Sequence, residues 1–142
     1  MNLTASLPTT SGALHVAGLR EPVTVVRDRW GIPHLRAHNR HDAFCAQGFV
    51  HAQDRMWHMD WDRRRAYGTT AELLGPAGVE ADRLSRRFQI RRASIADWKV
   101  LNAETRAMVE AYTAGVNAFL EQTPVPSVEF ALLAIRPGPW QP

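Results

Sequence analysis

The sequence predicts an α+β chain in which a β-hairpin is followed by a mainly helical segment. Three observations carry that reading. Two short extended runs are separated by turn residues, the apolar period changes to a helical one at Asn39, and a second helical stripe begins after Asn102. With 142 residues, 45% of them hydrophobic and 22% charged, the composition is that of a globular protein. A chain of this length fits one domain and could bury roughly 70% of its unfolded surface.

Residues 1–22 are rich in Ser, Thr, Gly and Pro and read as an irregular lead-in that ends at Pro22. Val23–Arg27 is β-branched on both faces, the pattern of a strand covered on both sides. Asp28–Gly31 supplies turn chemistry, with Gly31 free to take positive φ. Ile32–Ala37 resumes an extended run, in which Pro33 cannot donate to a ladder and points to an edge or bulge position.

From Asn39, a candidate N-cap, Cys45, Phe49, Ala52, Met56 and Met59 recur at spacings of three and four and share one helical face. Gln47, His51, Asp54, His58 and Arg65 fall on the opposite side, and Trp57 with Trp61 forms a second apolar stripe. The helix is therefore expected between two packing partners, ending at Gly68. A short turn at Ala71–Leu74 stops at Gly75-Pro76, and a basic segment runs from Asp82 to Ala93. Asn102 is placed to cap a helix whose Thr105, Met108, Val109, Tyr112, Val116, Phe119 and Leu120 line one face, closed by Thr123-Pro124 and Pro126. The chain then runs through SVEFALLAIRPGPWQP without a sealing element, as expected of a piece of a longer polypeptide.

Several function classes can be weighed. The net charge of +3 is carried by arginine, with Lys99 the single lysine, and identifies no partner. Cys45, the single cysteine, excludes an internal disulfide. No apolar run approaches the ~20 residues that span a bilayer, so no membrane partner is expected. The N-terminus lacks the basic start and apolar core of a secretory signal, which leaves localisation open between a cytoplasmic protein and a truncated form of an exported one.

His34, His38 and His41, or His51, Asp54 and His58, suggest a metal. Neither set has the HExxH pattern, however, and Asp54 with His58 at i,i+4 reads as a helix-surface pair, so no metal site is assigned. Arg63-Arg64-Arg65, Arg86-Arg87 and Arg91-Arg92 suggest phosphate contacts, but Asp60 and Asp62 flank the first cluster and no aromatics interleave. These arginines read as solvated or internally paired, and no nucleic-acid partner is assigned. Cys45 lies on the apolar helix face, where an inert thiol is the rule. Gly68-Thr69 is explained by Gly as a C-cap and Thr as an N-cap for TAELL. No catalytic residue is assigned within the chain, and the substrate-binding residues stay unknown.

The runs RDRWGIPHLRA, GFVHAQDRMWHMD, RRRAYGTTAELLG, EAYTAGVNAFL and EFALLAIRPGPW resemble, in order and spacing, the first chain of the penicillin acylase family of N-terminal-nucleophile hydrolases. The matching positions are Arg27, Asp28, Gly31, Pro33, His34, Gly48, Gln53, Asp54, Arg55, Met59, Arg64, Gly68, Glu72 and Gly75, and the likeness runs from about Val16 onward. His58 departs from the Gln that relatives often carry. The resemblance implies that residues 23–142 are part of a four-layer αββα sandwich, incomplete at the C-terminus. The matched residues would then be scaffold, with Asp54 and Arg55 in buried ion pairs or cap contacts.

It further implies a precursor that cleaves itself, whose second chain begins with a nucleophilic Ser activated by its own α-amine, of pKa ~7.7 to 8.0. The nucleophile and the family's calcium site would lie beyond Pro142, and this chain would hold no cofactor. The expected partners are the missing β-chain portion and a small-molecule amide. The complete protein would cleave a non-peptide amide, such as the side-chain amide of a β-lactam or an N-acyl homoserine lactone, while this chain alone is expected to be inactive. The alternative is a small stand-alone helical binding module that offers its arginines to an anionic partner.

Overall fold

The computed structural model describes residues 6–142, which divide into two compact units. One holds the residues up to Met56 together with Ala103–Pro142, and the other is Trp57–Asn102. Among the described residues no helix is long and apolar enough to cross a membrane.

The first unit carries the hairpin of β1 (Thr24–Arg27) and β2 (Pro33–Arg36), and among the described residues before it there is no strand or α-helix. The strands pair antiparallel, with Val25 opposite Leu35 and Arg27 opposite Pro33. Gly31 turns the chain at φ +78°, and Pro33 falls at the end of the ladder, where its missing donor is tolerated. The expectation of a strand covered on both sides is not met, because Thr24, Val25 and Val26 are exposed.

Helix α1 (Arg40–Tyr67) begins at the Asn39 cap, whose Oδ1 accepts the Asp42 N–H at 2.9 Å. It is interrupted at Arg55, where the backbone leaves the helical region (φ −140°, ψ 21°), a break that no Gly or Pro in the surrounding sequence announces. Within the first unit, α1 packs on α5 (Ala103–Gln122) through Cys45, Phe49, Ala52, Met56, Val116, Phe119 and Phe130 of α6 (Val128–Leu133), all buried. Phe49 and Phe119 meet edge to face at 5.6 Å.

The two helices touch backbone to backbone. A Cβ on Gly48 would collide with the Tyr112 carbonyl, and one on Gly115 with the Cys45 carbonyl. The buried face of α5 is accordingly broader than the stripe of large residues and includes Ala111, Gly115 and Ala118. The C-terminal run is tied along α5: Asn117 Nδ2 donates to the Trp140 carbonyl at 3.0 Å, and the Trp140 N–H donates back to Asn117 Oδ1 at 2.8 Å.

The second unit holds the end of α1, α2 (Ala71–Leu74), a 3-10 turn (Gly75–Gly78), α3 (Val79–Phe88) and α4 (Ile90–Val100). The helical break around Gly75-Pro76 is where the sequence placed it. A further break at Gln89, a non-glycine residue in the left-handed region (φ 55°), divides the basic segment into two helices. The buried residues here are Asp60, Gly68, Thr70, Gly78 and Asp82. Trp57 and Trp61 stack at 6.3 Å, each half-buried.

Candidate functional site

The densest polar cluster of the first unit is built around Arg27 at the end of β1. Its guanidinium grips both carboxylate oxygens of Asp54, at 2.8 and 2.9 Å, and donates to Gln53 Oε1 at 2.6 Å and to the Gly31 carbonyl at 3.0 Å. Such a fork fixes direction as well as distance, which a lysine could not do. Gln53 passes the connection on by donating to the Thr9 carbonyl at 2.9 Å. One side chain therefore ties strand, turn, helix α1 and lead-in together. The cluster lines an open cavity of ≈ 540 Å³ that Ser127 and Val128 also border.

The turn beside it is fixed by Asp28. Its Oδ1 accepts the N–H groups of Trp30 at 2.8 Å and Ile32 at 3.0 Å, and its Oδ2 lies 3.2 Å from His34 Nε2. Partial burial pushes this carboxyl upward, but the bonds from His34, Trp30 and Ile32 outweigh it and hold the pKa below the ordinary value. A second apolar cavity of ≈ 300 Å³ lies between the lead-in and the hairpin's inner face, bordered by Val23, Val25, Phe49 and Val50.

Asp42 anchors the other end of the lead-in. Fully buried, it accepts from the N–H groups of Arg20 (2.8 Å) and Glu21 (3.0 Å), from Asn39 Nδ2 (2.7 Å), and lies 3.1 Å from His41 Nδ1. Burial alone would raise its pKa, yet these donors bring it far below the carboxylate range. Asp42 is not among the residues expected from the sequence. The signal was present in Asn39-x-x-Asp42, which has the spacing of a capping box.

In the second unit, Asp60 is fully buried and takes Arg63 on one oxygen and Arg64 on the other at 2.8 Å, while Arg64 reaches Glu72 at 2.6 Å. The Asp60–Arg64 pairing expected from the i,i+4 order is present. Asp82 receives the Thr70 N–H (2.8 Å), the Thr70 hydroxyl (2.6 Å) and the Ala71 N–H (2.7 Å), so the start of α2 is capped from α3. The N-cap position of α2 is Thr70, without a side-chain cap bond of its own, and this replaces the expectation that Thr69 caps TAELL. Gly68 ends α1 at φ +65°, with its carbonyl held by Arg86 Nε at 2.8 Å.

Other expected pairings are redistributed. Asp54 is claimed by Arg27, so His58 pairs with Asp62 at 3.3 Å and not with Asp54. Arg55 is exposed at the helix break and donates to the Asp54 carbonyl at 3.3 Å, and is in no buried ion pair. His34, His41 and His51 bond to Asp28, Asp42 and the Tyr112 hydroxyl respectively. Cys45 is fully buried, and burial followed by the Asp42 charge pushes its thiol pKa up, away from the thiolate that nucleophilic attack needs. The arrangement orients chain segments, and its hydroxyls and carboxylates are spent on turns and caps.

Residues 22–142 match the family model described as penicillin amidase. The chain belongs to the penicillin amidase family. It is 49% identical over 141 residues to the penicillin acylase 2 proenzyme of Pseudomonas sp. (strain SE83), covering 99% of this chain and 18% of that protein. It is also 35% identical to the acyl-homoserine lactone acylase QuiP of Pseudomonas aeruginosa, over 96% of this chain and 16% of that one. Among solved structures, the thermostable penicillin G acylase from Alcaligenes faecalis superposes with a TM-score of 0.75 at 32% identity, covering 84% of this chain and 66% of the other. The chain thus spans less than a fifth of the curated relatives it matches. The α+β character expected of a penicillin amidase N-terminal portion, a hairpin leading into helices, is the one observed.

Proposed function

We propose that this chain is the N-terminal portion of a penicillin amidase-family amidohydrolase whose complete form cleaves a non-peptide amide through an acyl-enzyme on a Ser outside these 142 residues. The observation that carries the reading is the 49% identity to a penicillin acylase proenzyme across 99% of the chain. The side-chain amide of a β-lactam and an N-acyl homoserine lactone are the substrate classes to test, because relatives named for both share this region. The local chemistry is compatible with a scaffolding role: Asp28, Asp42, Asp60 and Asp82 hold turns, caps and arginines, and the one thiol is sealed in the core. By the same reading the remaining portion of the precursor is the partner of this chain, residues 23–142 are one part of a larger sandwich, and the calcium site lies outside it. Four of the arginines that suggested a stand-alone binding module are engaged internally, Arg63 and Arg64 by Asp60, Arg65 by Asp62 and Arg86 by the Gly68 carbonyl.

The test is to express this segment alone and joined to the coding sequence that follows it, then measure amine release from a phenylacetyl amide, a β-lactam and an N-acyl homoserine lactone. Turnover is expected from the joined protein only. Hydrolysis by the 142-residue chain alone overturns the placement of the nucleophile, and a processed protein inert on every amide overturns the amidohydrolase reading.

A further inference from the structure

We propose that a groove in the second unit, between the end of α1 and the corner where α3 meets α4, binds a small organic anion: a carboxylate on an apolar or aromatic body. The inference goes beyond the proposed function, because binding here calls on residues of this chain alone.

The groove has a volume of ≈ 390 Å³, the size of a small-molecule site. Tyr67 at the end of α1 and Ile90 and Ile95 of α4 give it an apolar lining, and all three are exposed. Arg86 of α3 and Arg91 and Arg92 of α4 border the same groove. On one continuous helix, residues five and six apart lie on different faces. The break at Gln89 divides the segment into two helices, and it is this corner that brings the three arginines to one groove.

Charge compensation separates these arginines from the Arg63-Arg64-Arg65 run. Arg63 and Arg64 meet Asp60, and Arg65 meets Asp62, so that run is neutralised by its own acids. Around the groove the partners are neutral: the Gly68 carbonyl accepts from Arg86 Nε at 2.8 Å, Gln89 Oε1 accepts from Arg92 Nη1 at 3.2 Å, and the Arg91 guanidinium lies over the Tyr67 ring at 5.0 Å. Such partners fix direction without cancelling charge. Among the described residues none of the three arginines forms a salt bridge. Arg86 does act on the Asp82 carboxylate through its charge, which leaves Arg91 and Arg92 as the pair whose charge is uncompensated.

The class of ligand follows from this pairing. A guanidinium takes a carboxylate through two parallel N–H bonds, and the adjoining Tyr67, Ile90 and Ile95 take its hydrocarbon. A nucleic-acid strand needs a track of cations with a series of free rings for its bases. This groove offers one ring, already under Arg91.

The test is a titration of the complete, processed protein, labelled at isoleucine methyls, with phenylacetate. The Ile90 and Ile95 signals, identified with Ile90→Val and Ile95→Val, should shift saturably with a Kd on the order of 1 mM. Arg91→Gln should weaken that binding at least about tenfold and Arg91→Lys by less, since lysine keeps the charge without the fork. Arg87→Gln, outside the groove, should change it less than about twofold. Phenylacetamide, of equal size and uncharged, should bind at least about tenfold more weakly.

Equal weakening by Arg87→Gln would reduce the effect to general attraction by a basic face, and equal binding of phenylacetamide to an apolar pocket; either overturns the inference. Methyls unmoved at about ten times the expected Kd overturn it too, as a groove covered or unused in the complete protein. So does broadening of both methyls by phosphatidylglycerol vesicles without a response to phenylacetate, which would make this face a membrane surface. Amide hydrolysis is assayed on the same sample: an active enzyme with unmoved methyls sinks this inference alone, and saturable shifts in an inert protein sink only the proposed function.

Discussion

The two units of this chain are held together by different physics. Every buried hydrophobic residue among those described lies in the first unit, where Phe49, Met56, Val116, Phe119 and Phe130 pack around the contact of α1 with α5. The second unit buries two carboxylates, a threonine and two glycines in their place. A hydrocarbon core is non-directional and tolerates volume-conserving change. A buried carboxylate is intolerant of losing its donors, since the unpaired group keeps the whole desolvation cost. The second unit should therefore be the more sharply specified and the more easily broken by a single polar substitution.

The largest expected effect tests that contrast directly. Asp60→Ala leaves Arg63 and Arg64 without their buried acceptor and should cost the second unit about 3 to 5 kcal/mol. Exchange of amides in Trp57–Asn102 of the complete protein reads it, and a loss below about 1 kcal/mol would place the stability of that unit elsewhere.

In the first unit the sensitive point is not a large side chain but a missing one. Gly115→Ala drives a methyl into the Cys45 carbonyl, and the two helices must separate, at about 3 kcal/mol. Gly138→Ala is the control: nothing lies within 4 Å of its added carbon, and it should stay within about 0.5 kcal/mol of the parent in denaturant unfolding.

Arg27→Lys probes one of the polar clusters of the unit with the apolar core. The lysine keeps the charge but loses the fork to Asp54 and the bond to Gln53, and about 1.5 kcal/mol should go with them. Thermal unfolding of the complete protein measures it, and a change indistinguishable from zero would show that the fork contributes orientation without stability.

How much of this was legible in the sequence divides along the same line. Local periodicity exposed the hairpin, the Asn39 start and Gly68 end of α1, and the apolar face of α5, because each is written in residues a few positions apart. The Asp60–Arg64 pair was legible for the same reason. Asp42 and Asp82 were missed although Asn39-x-x-Asp42 was there to see, because their distant partners include the backbone N–H groups of Arg20, Glu21, Thr70 and Ala71, which any residue type could supply. Gly115 was missed because closeness of two backbones leaves no periodic trace. The pairing of Asp54 with His58 failed through competition: spacing on one helix cannot reveal that Arg27, 27 residues away, holds the same carboxylate more firmly. The matched positions of the family split likewise, since Arg27, Asp28, Gln53, Asp54, Arg64, Gly68 and Glu72 sit in these polar clusters while Arg55 is exposed.

The smallest expected effect is a matter of pH and joins the two units. Asp42 in the first and Asp82 in the second both have carboxyl pKa values held below the ordinary one: burial opposes ionisation in each, but the bonds from Arg20, Asn39, His41 and Glu21, or from Thr70 and Ala71, overcome it. For a group whose folded pKa is lowered, the stabilisation is complete above the unfolded value of about 3.9 and disappears as pH falls through the folded value. Both units should thus be indifferent between pH 6 and pH 8 as far as these carboxylates go, and both should weaken in acid below about pH 4. Asp42→Asn removes the Asp42 share of the acid slope in the first unit, where Asp28 keeps its own, and leaves the slope of the second unchanged, because Asp42 and Asp82 share no donor. Amide exchange followed against pH separates the two slopes. A substitution at Asp42 that altered the acid slope of Trp57–Asn102 would show that the two interiors are coupled, and the contrast between an apolar and a polar unit would then describe composition and not independent stability.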